Sequence, residues 1–156
     1  MRRVRAGYAG GITWMDSQLG RVLGALDALP RDVRDNTVVL FFSDHGWGLG
    51  EHGFWCKMAN TELQTRVPLL VRVPWLETTM QGARTSALVE LVDIFATLAD
   101  LTGIDVTDAL EGTSFVPILK DPTLHTTTPA AWKNASFSQY VGLDLPVFLS
   151  DDMSHV

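Results

Sequence analysis

An unbroken apolar run, Val38-Val39-Leu40-Phe41-Phe42, restricts the fold of this sequence more than any other feature. Because β-branched and aromatic residues fill it without polar alternation, it is typical of a strand buried on both faces in the centre of an α/β sheet. The run stops at Ser43-Asp44-His45-Gly46. Open α/β sheets bind ligands at the carboxyl ends of their strands, so we expect this carboxylate and imidazole to lie at a functional edge.

The segment after the strand has the composition of a site rather than of a plain connector. Glycines occupy positions 46, 48, 50 and 53, and between them stand Trp47, Glu51 and His52, followed by Trp55 and Lys57. Loops with this mixture of glycine, charge and aromatic side chains often bind ligands.

The surrounding sequence predicts helices on either side of the strand. Apolar residues from Val4 to Leu29 recur every three or four positions, which predicts an amphipathic helix that ends before Pro30. Residues 65–73 predict a second buried strand, and Leu88 to Leu101 predict a second helix closed by Gly103. We expect residues 123–131 to form an exposed loop and residues 135–141 one more strand. A helix-flanked sheet is the natural class.

Composition excludes several function classes. The chain has 156 residues and a formal net charge of -6, which argues against a nucleic-acid surface because phosphate binding requires clustered lysine and arginine. No apolar run approaches the length of a membrane span. The single cysteine, Cys56, excludes an internal disulfide.

Asp44 and His45 can both bind one metal ion if the backbone leaves the extended conformation there, since a regular strand would direct them to opposite faces. Gly46 makes that departure easy. A carboxylate favours calcium or magnesium, whereas an imidazole favours zinc or manganese. In the alternative interpretation, Asp44 accepts loop N–H groups and His45 is a half-buried, hydrogen-bonded histidine.

Two cations of the loop are candidate substrate-binding groups. Lys57 is suited to an oxygen of a sulfate or phosphate, although a solvated lysine is the simpler interpretation. His52 is able to donate a proton or bind an anion, and Glu51-His52 is equally consistent with a polar lid.

Several ordered motifs together resemble one enzyme family. The string from Ser43 to Lys57 resembles the metal and substrate loop of the type I sulfatases, formylglycine-dependent members of the alkaline phosphatase superfamily, in the branch that includes iduronate 2-sulfatase and choline sulfatase. Other segments resemble sulfatase motifs in the same order: Gly7-Tyr8-Ala9, Trp14-Met15-Asp16, Gly20 to Leu23, Thr65 to Leu70, Leu91 to Leu98, Leu110 to Phe115 and Phe137 to Tyr140. The last of these is closest to iduronate 2-sulfatase, and the similarity covers residues 5–141.

The resemblance implies a fragment of an alkaline-phosphatase-like sulfatase fold. This is an α/β architecture in which helices flank a mainly parallel sheet, with a small C-terminal α+β portion. Residues 1–105 then correspond to the C-terminal half of the catalytic domain. Residues 106–156 correspond to the start of a partly irregular C-terminal subdomain.

The resemblance also implies roles for residues. Asp44 and His45 are expected to bind one calcium ion, Ca²⁺, and Lys57 to contact the substrate sulfate. His52, from its chemistry alone, is kept as a second candidate for substrate binding. In the family, a cysteine in a Cys-x-Pro-Ser-Arg motif becomes a formylglycine whose hydrate attacks sulfur, which combines nucleophilic and metal catalysis. Cys56 is followed by Lys-Met-Ala, so no catalytic nucleophile is expected in this chain.

The expected function is therefore part of a sulfuric ester hydrolase, and this part is expected to be inactive alone. The expected substrate is a sulfate ester of a sugar. The missing N-terminal portion of the sulfatase domain is its expected partner and the source of the other calcium ligands. Alternatives are a metal-dependent phosphatase, phosphodiesterase or mutase of the same superfamily, and a noncatalytic remnant. Family resemblance implies a lysosomal, secreted or periplasmic location, and Asn134-Ala135-Ser136 matches a glycosylation sequon.

Overall fold

A computed structural model of the chain describes residues 1–76 and 82–140. Its helices and strands follow in the order α1 Arg2–Asp27, α2 Arg31–Arg34, β1 Val39–Phe42, β2 Gly48–Leu49, β3 Trp55–Cys56, α3 Glu62–Thr65, β4 Leu69–Arg72, α4 Asp93–Thr102, α5 Val116–Lys120 and α6 Leu124–Thr127. Mixed helix and sheet agrees with the predicted class. Within the described residues, no helix is both long enough and apolar enough to cross a membrane.

The long first helix is confirmed but is largely solvent-exposed. α1 has 26 residues, none of which is buried. Its apolar side contributes Ile12, Met15 and Leu19 to a groove whose other wall includes Phe41 and Leu70. The periodicity of the sequence therefore marks a face that lies beside the sheet and is only partly covered by it.

The two predicted strands pair with each other in the antiparallel direction. β1 and β4 are in register from Val39 opposite Arg72 to Phe42 opposite Leu69. In the described residues, this pair and the β2–β3 pair are both antiparallel, unlike the mainly parallel sheet that the sequence predicts. A parallel pair requires a crossover, usually helical, whereas the connection from β1 to β4 contains only the one-turn helix α3.

The core lies on one face of this strand pair. Phe115, Ile118 and Trp132 are buried together, and β1 and β4 contribute Leu40, Leu69 and Val71 to the same cluster. β1 is thus half-buried rather than covered on both faces, with Phe42 exposed. The core draws its residues from the two strands, from residues 87–89 and α4, and from the segment after position 110.

The segment after α5 differs from its predicted loop and strand. Residues 123–131 are mostly exposed, as predicted, but they contain α6 and a 3₁₀ turn at Pro129–Ala131 rather than a loop. Residues 135–140 form no strand, and residue 141 lies outside the described residues. Trp132 holds this segment against the core. Its indole N–H donates to the Leu88 carbonyl at 2.8 Å, and its large apolar side chain is buried in the core.

α4 begins at Asp93, later than the helix predicted from Leu88. The Asp93 side chain is fully buried, in contrast to the exposure usual for a helical acid. Its carboxylate accepts N–H groups of Glu90 and Thr113, each at 2.8 Å, and binds the Lys133 ammonium at 2.7 Å. These bonds hold the start of α4 against residues 113 and 133 and compensate the burial of the charge.

Candidate functional site

A short hairpin brings the two ends of the glycine-rich loop together. β2 and β3 pair with Gly48 opposite Cys56 and Leu49 opposite Trp55. The turn between them places Gly50 at φ 100° and His52 at φ 54°, and Cys56 has φ 71° at the far end. Because the hairpin returns on itself, residues 45 and 57 become spatial neighbours although 12 positions separate them.

Asp44 and His45 lie just beyond the end of β1, where the backbone bends away from the extended conformation. The Asp44 carboxylate is 79% exposed, and its Oδ2 lies 3.5 Å from Nε2 of His45, which is 31% exposed. Oδ1 accepts the His45 backbone N–H at 3.1 Å. The bend therefore turns the carboxylate and the imidazole toward one another, as the metal-site prediction requires.

The hydrogen bonds of His45 determine which ring nitrogen is available. Nδ1 lies 2.9 Å from the Gly46 carbonyl oxygen, a partner that only accepts, so Nδ1 carries the proton and donates. Nε2 then presents its lone pair, and the Lys57 ammonium donates to it at 2.8 Å. A backbone carbonyl on one nitrogen is the usual arrangement for a histidine whose other nitrogen binds a metal.

His52 is not brought to this cluster. It is exposed in the hairpin turn, and no hydrogen bond or ion pair among the described residues joins its side chain to Asp44, His45 or Lys57. Its neighbour Glu51 acts within the turn, where Oε2 accepts the Leu49 N–H at 2.6 Å. The hydrogen bonds that Glu51 accepts from its own N–H and from Leu49 lower the pKa of its carboxyl.

Asp44 and His45 alone do not make a complete calcium site. Within residues 1–76 and 82–140, no group of three or more His, Cys, Asp or Glu side chains is placed to hold a metal ion. Calcium takes roughly six to eight oxygen ligands. Asp44 and His45 fit as part of such a site, since an exposed carboxylate and an unprotonated nitrogen stand side by side.

Residues near the C-terminal end of the described chain also contact the residues that follow the glycine-rich loop. Tyr140 Oη donates to Met58 Sδ at 3.1 Å, and Ser138 Oγ donates to Asn60 Oδ1 at 3.3 Å. The segment quoted above for its resemblance to iduronate 2-sulfatase therefore contacts the residues directly after Lys57.

The sequence interpretation missed Gln64, a buried polar residue of α3 that is 5% exposed. Its carbonyl accepts the Gly46 N–H at 2.8 Å, and its side-chain amide donates to the Cys56 carbonyl at 3.3 Å. No periodicity in a four-residue helix reveals burial, so the sequence contains no signal for it. Gly46 is needed for a related reason, because a Cβ there would lie 1.9 Å from the Leu63 carbonyl oxygen.

Comparison with known proteins places these features in a family. Residues 1–104 match the model of the Sulfatase family. The chain is 38% identical over 130 residues to iduronate 2-sulfatase of Mus musculus, covering 67% of this chain and 23% of that protein. It thus spans less than a quarter of this relative's length.

Two solved structures share the fold. One is BT4656 in complex with its substrate D-glucosamine-2-N,6-O-disulfate, with a TM-score of 0.73 and 31% identity over 85% of this chain and 26% of that one. The other is a phosphonate monoester hydrolase from Silicibacter pomeroyi, with a TM-score of 0.65 and 30% identity over 79% of this chain and 22% of that one. These likenesses confirm the predicted alkaline-phosphatase-like fold. The chain belongs to the sulfatase family.

Proposed function

We propose that this chain provides the calcium- and sulfate-binding loop of a sulfuric ester hydrolase that acts on a sulfated sugar. The observation that carries the proposal is the pairing of His45 with Lys57 beside the Asp44 carboxylate. Two relatives support the substrate class by name. BT4656 binds a glucosamine disulfate, and a 32% identical protein of Bacteroides thetaiotaomicron is an N-acetylglucosamine-6-O-sulfatase.

Each residue of the loop has a distinct role in this proposal. Asp44 and His45 would hold one Ca²⁺, with a carboxylate oxygen and Nε2 as ligands, and the bound ion would offset negative charge on the sulfate oxygens. Lys57 donates to a sulfate oxygen. Because Nε2 has one lone pair, a bound metal ion and the Lys57 ammonium compete for it. Metal binding therefore releases Lys57 toward the substrate.

His52 enters the proposal as a second substrate-binding group. Its exposure in the hairpin turn leaves the side chain accessible to a ligand. Its distance in sequence from the metal pair suits a contact with the sugar or an outer sulfate oxygen rather than with the reacting sulfur.

The remaining parts of the enzyme belong to residues other than those of this loop. Cys56 lacks the Pro-Ser-Arg sequence of the formylglycine motif, so the nucleophile and the other calcium ligands must come from an N-terminal portion of the sulfatase domain. We propose that residues 1–105 belong to that catalytic domain and that residues 106–156 begin a subdomain. Residues 141–156 of the latter lie outside the described residues.

A phosphoryl or phosphonyl substrate is the second candidate. The observation in its favour is the fold shared with a phosphonate monoester hydrolase. A single cation at Lys57 suits any tetrahedral oxyanion, so the loop alone does not separate the two ester classes. Assaying an aryl sulfate and an aryl phosphonate on the same preparation separates them.

A lysosomal, secreted or periplasmic location remains part of the proposal. The sequon Asn134-Ala135-Ser136 is exposed, which makes it accessible to glycosylation in a secretory pathway. Expression in a eukaryotic secretory host, followed by enzymatic deglycosylation and mass measurement, tests this point.

Metal binding is tested on the 156-residue chain with terbium(III), a luminescent calcium analogue. The Trp47 ring lies 6.3 Å from the His45 ring, so excitation of that tryptophan should sensitise an ion held by Asp44 and His45. Calcium should quench the signal by competition. Asp44→Asn should abolish the signal, while Asp16→Asn, which changes an exposed acid on α1, should leave it unchanged. Equal luminescence of all three proteins would favour the noncatalytic remnant.

Activity is tested on the whole protein. The coding sequence upstream of Met1 should encode Cys-x-Pro-Ser-Arg preceded by an Asp-Asp pair, and the complete product should release sulfate from an aryl sulfate and from a sulfated glucosamine. The 156-residue chain alone should release none. Turnover by that chain would overturn the assignment of the nucleophile to another segment.

A further inference from the structure

We infer that Gln64 is a positioning residue that sets the separation of His45 and Lys57, and that it acts through the backbone on both sides of the site loop. The inference rests on the proposed function, in which these two side chains serve one ligand. Gln64 itself lies outside the strand end and the hairpin to which the sequence assigns the chemistry.

Gln64 contacts the two halves of the loop at equivalent places. Its backbone carbonyl accepts the N–H of Gly46, the residue directly after His45, at 2.8 Å. Its side-chain Nε2 donates to the carbonyl of Cys56, the residue directly before Lys57, at 3.3 Å. One residue therefore holds the neighbours of both site residues.

The side chain of Gln64 has little freedom to adopt another arrangement. It is 5% exposed, and its Oε1 accepts the hydroxyl of Thr61 in the preceding turn. Gly48 faces the amide so closely that a Cβ there would lie 2.9 Å from Nε2. The amide is thus held by a donor, an acceptor and steric contact, which fixes the position of its N–H against β3.

The consequence concerns the Lys57–His45 hydrogen bond. A hydrogen bond of 2.8 Å joins the Lys57 ammonium to His45 Nε2, and it depends on how far apart the backbones at positions 45 and 57 are held. The hairpin itself supplies only two residue pairs, Gly48 with Cys56 and Leu49 with Trp55. The hydrogen bonds of Gln64 connect β3 to Gly46, which lies outside these two residue pairs.

The test replaces Gln64 by methionine, which has a similar length, keeps the backbone bond to Gly46 and lacks the two side-chain hydrogen bonds to Cys56 and Thr61. Long-range ¹H–¹⁵N spectra of the histidine rings report the tautomer and the hydrogen bond at Nε2, and the His45→Gln variant assigns the signals of His45. The spectra are recorded at a fixed pH of about 8, well above the ordinary imidazole pKa. In Gln64→Met, the Nε2 shift should move toward that of a solvent-exposed histidine. Glu62→Gln, on the 75% exposed side chain of the same turn, should leave it unchanged.

This readout separates positioning from general stabilisation. A purely structural role would lower the melting temperature of Gln64→Met and leave the folded-state His45 signals as in the wild type, which would overturn the inference. If Gln64→Met does not fold, Thr61→Val keeps Gln64 in place and removes the hydroxyl that orients its amide. The same displacement of the His45 signal, smaller in size, is then expected, and an unchanged signal counts against the inference.

A second measurement addresses the ligand. Titration with sodium sulfate should perturb the His45 signals, and Gln64→Met should bind sulfate about fivefold more weakly, the effect of losing roughly one net hydrogen bond. If sulfate leaves the His45 signals of the wild type unchanged, this counts against the proposed function alone, because the ring spectra recorded without sulfate still decide the role of Gln64. In the whole enzyme, the substitution should raise KM by a similar factor.

Discussion

The buried ion cluster around Lys133 allows a stability prediction whose sign and pH dependence both follow from the structure. Lys133 Nζ binds Asp93 at 2.7 and 2.9 Å and Glu90 at 2.8 Å. The Asp93 side chain is 0% exposed and the Lys133 side chain 21%. Substitution of Lys133 by methionine keeps the aliphatic stem and removes the one cation that pairs, among the described residues, with a carboxylate that water does not reach.

The size of the effect follows from this burial. Removing one partner of a buried pair typically costs about 3–5 kcal/mol, because the other charge stays desolvated. Asp93 would keep the N–H groups of Glu90 and Thr113, so we expect the lower part of that range, about 3 kcal/mol. Since whole domains unfold at a cost of about 5–15 kcal/mol, this loss is large.

The pH dependence of the unfolding free energy should differ in direction between the wild type and Lys133→Met. In the wild type, burial would raise the pKa of Asp93, but the bonds from Lys133, Thr113 and Glu90 outweigh it and lower that pKa. Bonds from Lys133 and the Phe137 N–H lower the pKa of Glu90 as well. Two lowered carboxyl pKa values stabilise the fold above their ordinary values of 3.8 and 4.5, and this contribution is lost as pH falls through the lowered values.

Without Lys133, the largest remaining influence on the pKa of Asp93 is burial, which raises it, so we expect this pKa to be higher in the variant than in the wild type. A carboxyl with a raised pKa binds a proton more readily in the folded state, so Lys133→Met should gain stability as pH falls from about 7 to about 5. The wild type should be nearly flat in that window. Its Lys133, whose pKa the two carboxylates raise despite burial, loses its contribution only as pH rises through that raised value, above 10.5.

Urea unfolding at pH 7 and pH 5 measures both effects, with tryptophan fluorescence and far-UV circular dichroism as probes. Trp132, one of five tryptophans, is buried beside Lys133 and contributes to the change in emission when this segment unfolds. Lys120→Met, on an exposed lysine at the end of α5, is the matched control and should change little. A loss below about 1 kcal/mol at pH 7, or the wild-type pH profile in Lys133→Met, would refute the reasoning about the buried carboxylate.

Three further predictions concern the loop and the first helix. Gly46→Ala should displace the Gly46–Gln64 contact and abolish terbium luminescence, because its Cβ would lie 1.9 Å from the Leu63 carbonyl oxygen. Its control, Gly20→Ala, lies in open space on α1 and should raise the free energy of unfolding in urea by about 0.5–1 kcal/mol. Lys57→Met should bind terbium at least several-fold more tightly, and an unchanged affinity would contradict competition for His45 Nε2. The 156-residue chain should form oligomers in size-exclusion chromatography, because Val4, Ile12 and Val22 of α1 are 49–66% exposed; a sharp monomer peak with cooperative melting would count against this.

The sequence predicted those parts of the fold that depend on periodicity and chain breaks. The helix before Pro30, the apolar strand and the end of that strand at Ser43 all depend on local patterns, and the structure contains each of them. Burial of Asp93 and Gln64 depends instead on residues 40 positions and 8 positions away, which no local pattern reports. The antiparallel pairing of β1 with β4 was missed for the same reason, since an apolar run does not encode the direction of its neighbour.

The contacts that join His45, Gly46 and Lys57 are between residues close in sequence, and this has a consequence for metal binding. The hairpin, the Gly46–Gln64 bond and the Lys57–His45 bond lie within residues 45–64, and the Arg5 guanidinium adds a bond to the Leu49 carbonyl at 2.9 Å. A loop held in this way needs little ordering when a ligand arrives, which favours affinity for each contact made. The loop supplies two of the roughly six to eight ligand atoms that calcium takes, and this limits its affinity for that ion. Supplying further carboxylates should therefore raise metal affinity by large factors while leaving the His45 tautomer unchanged, whereas a loop that folded only around the metal would change both together.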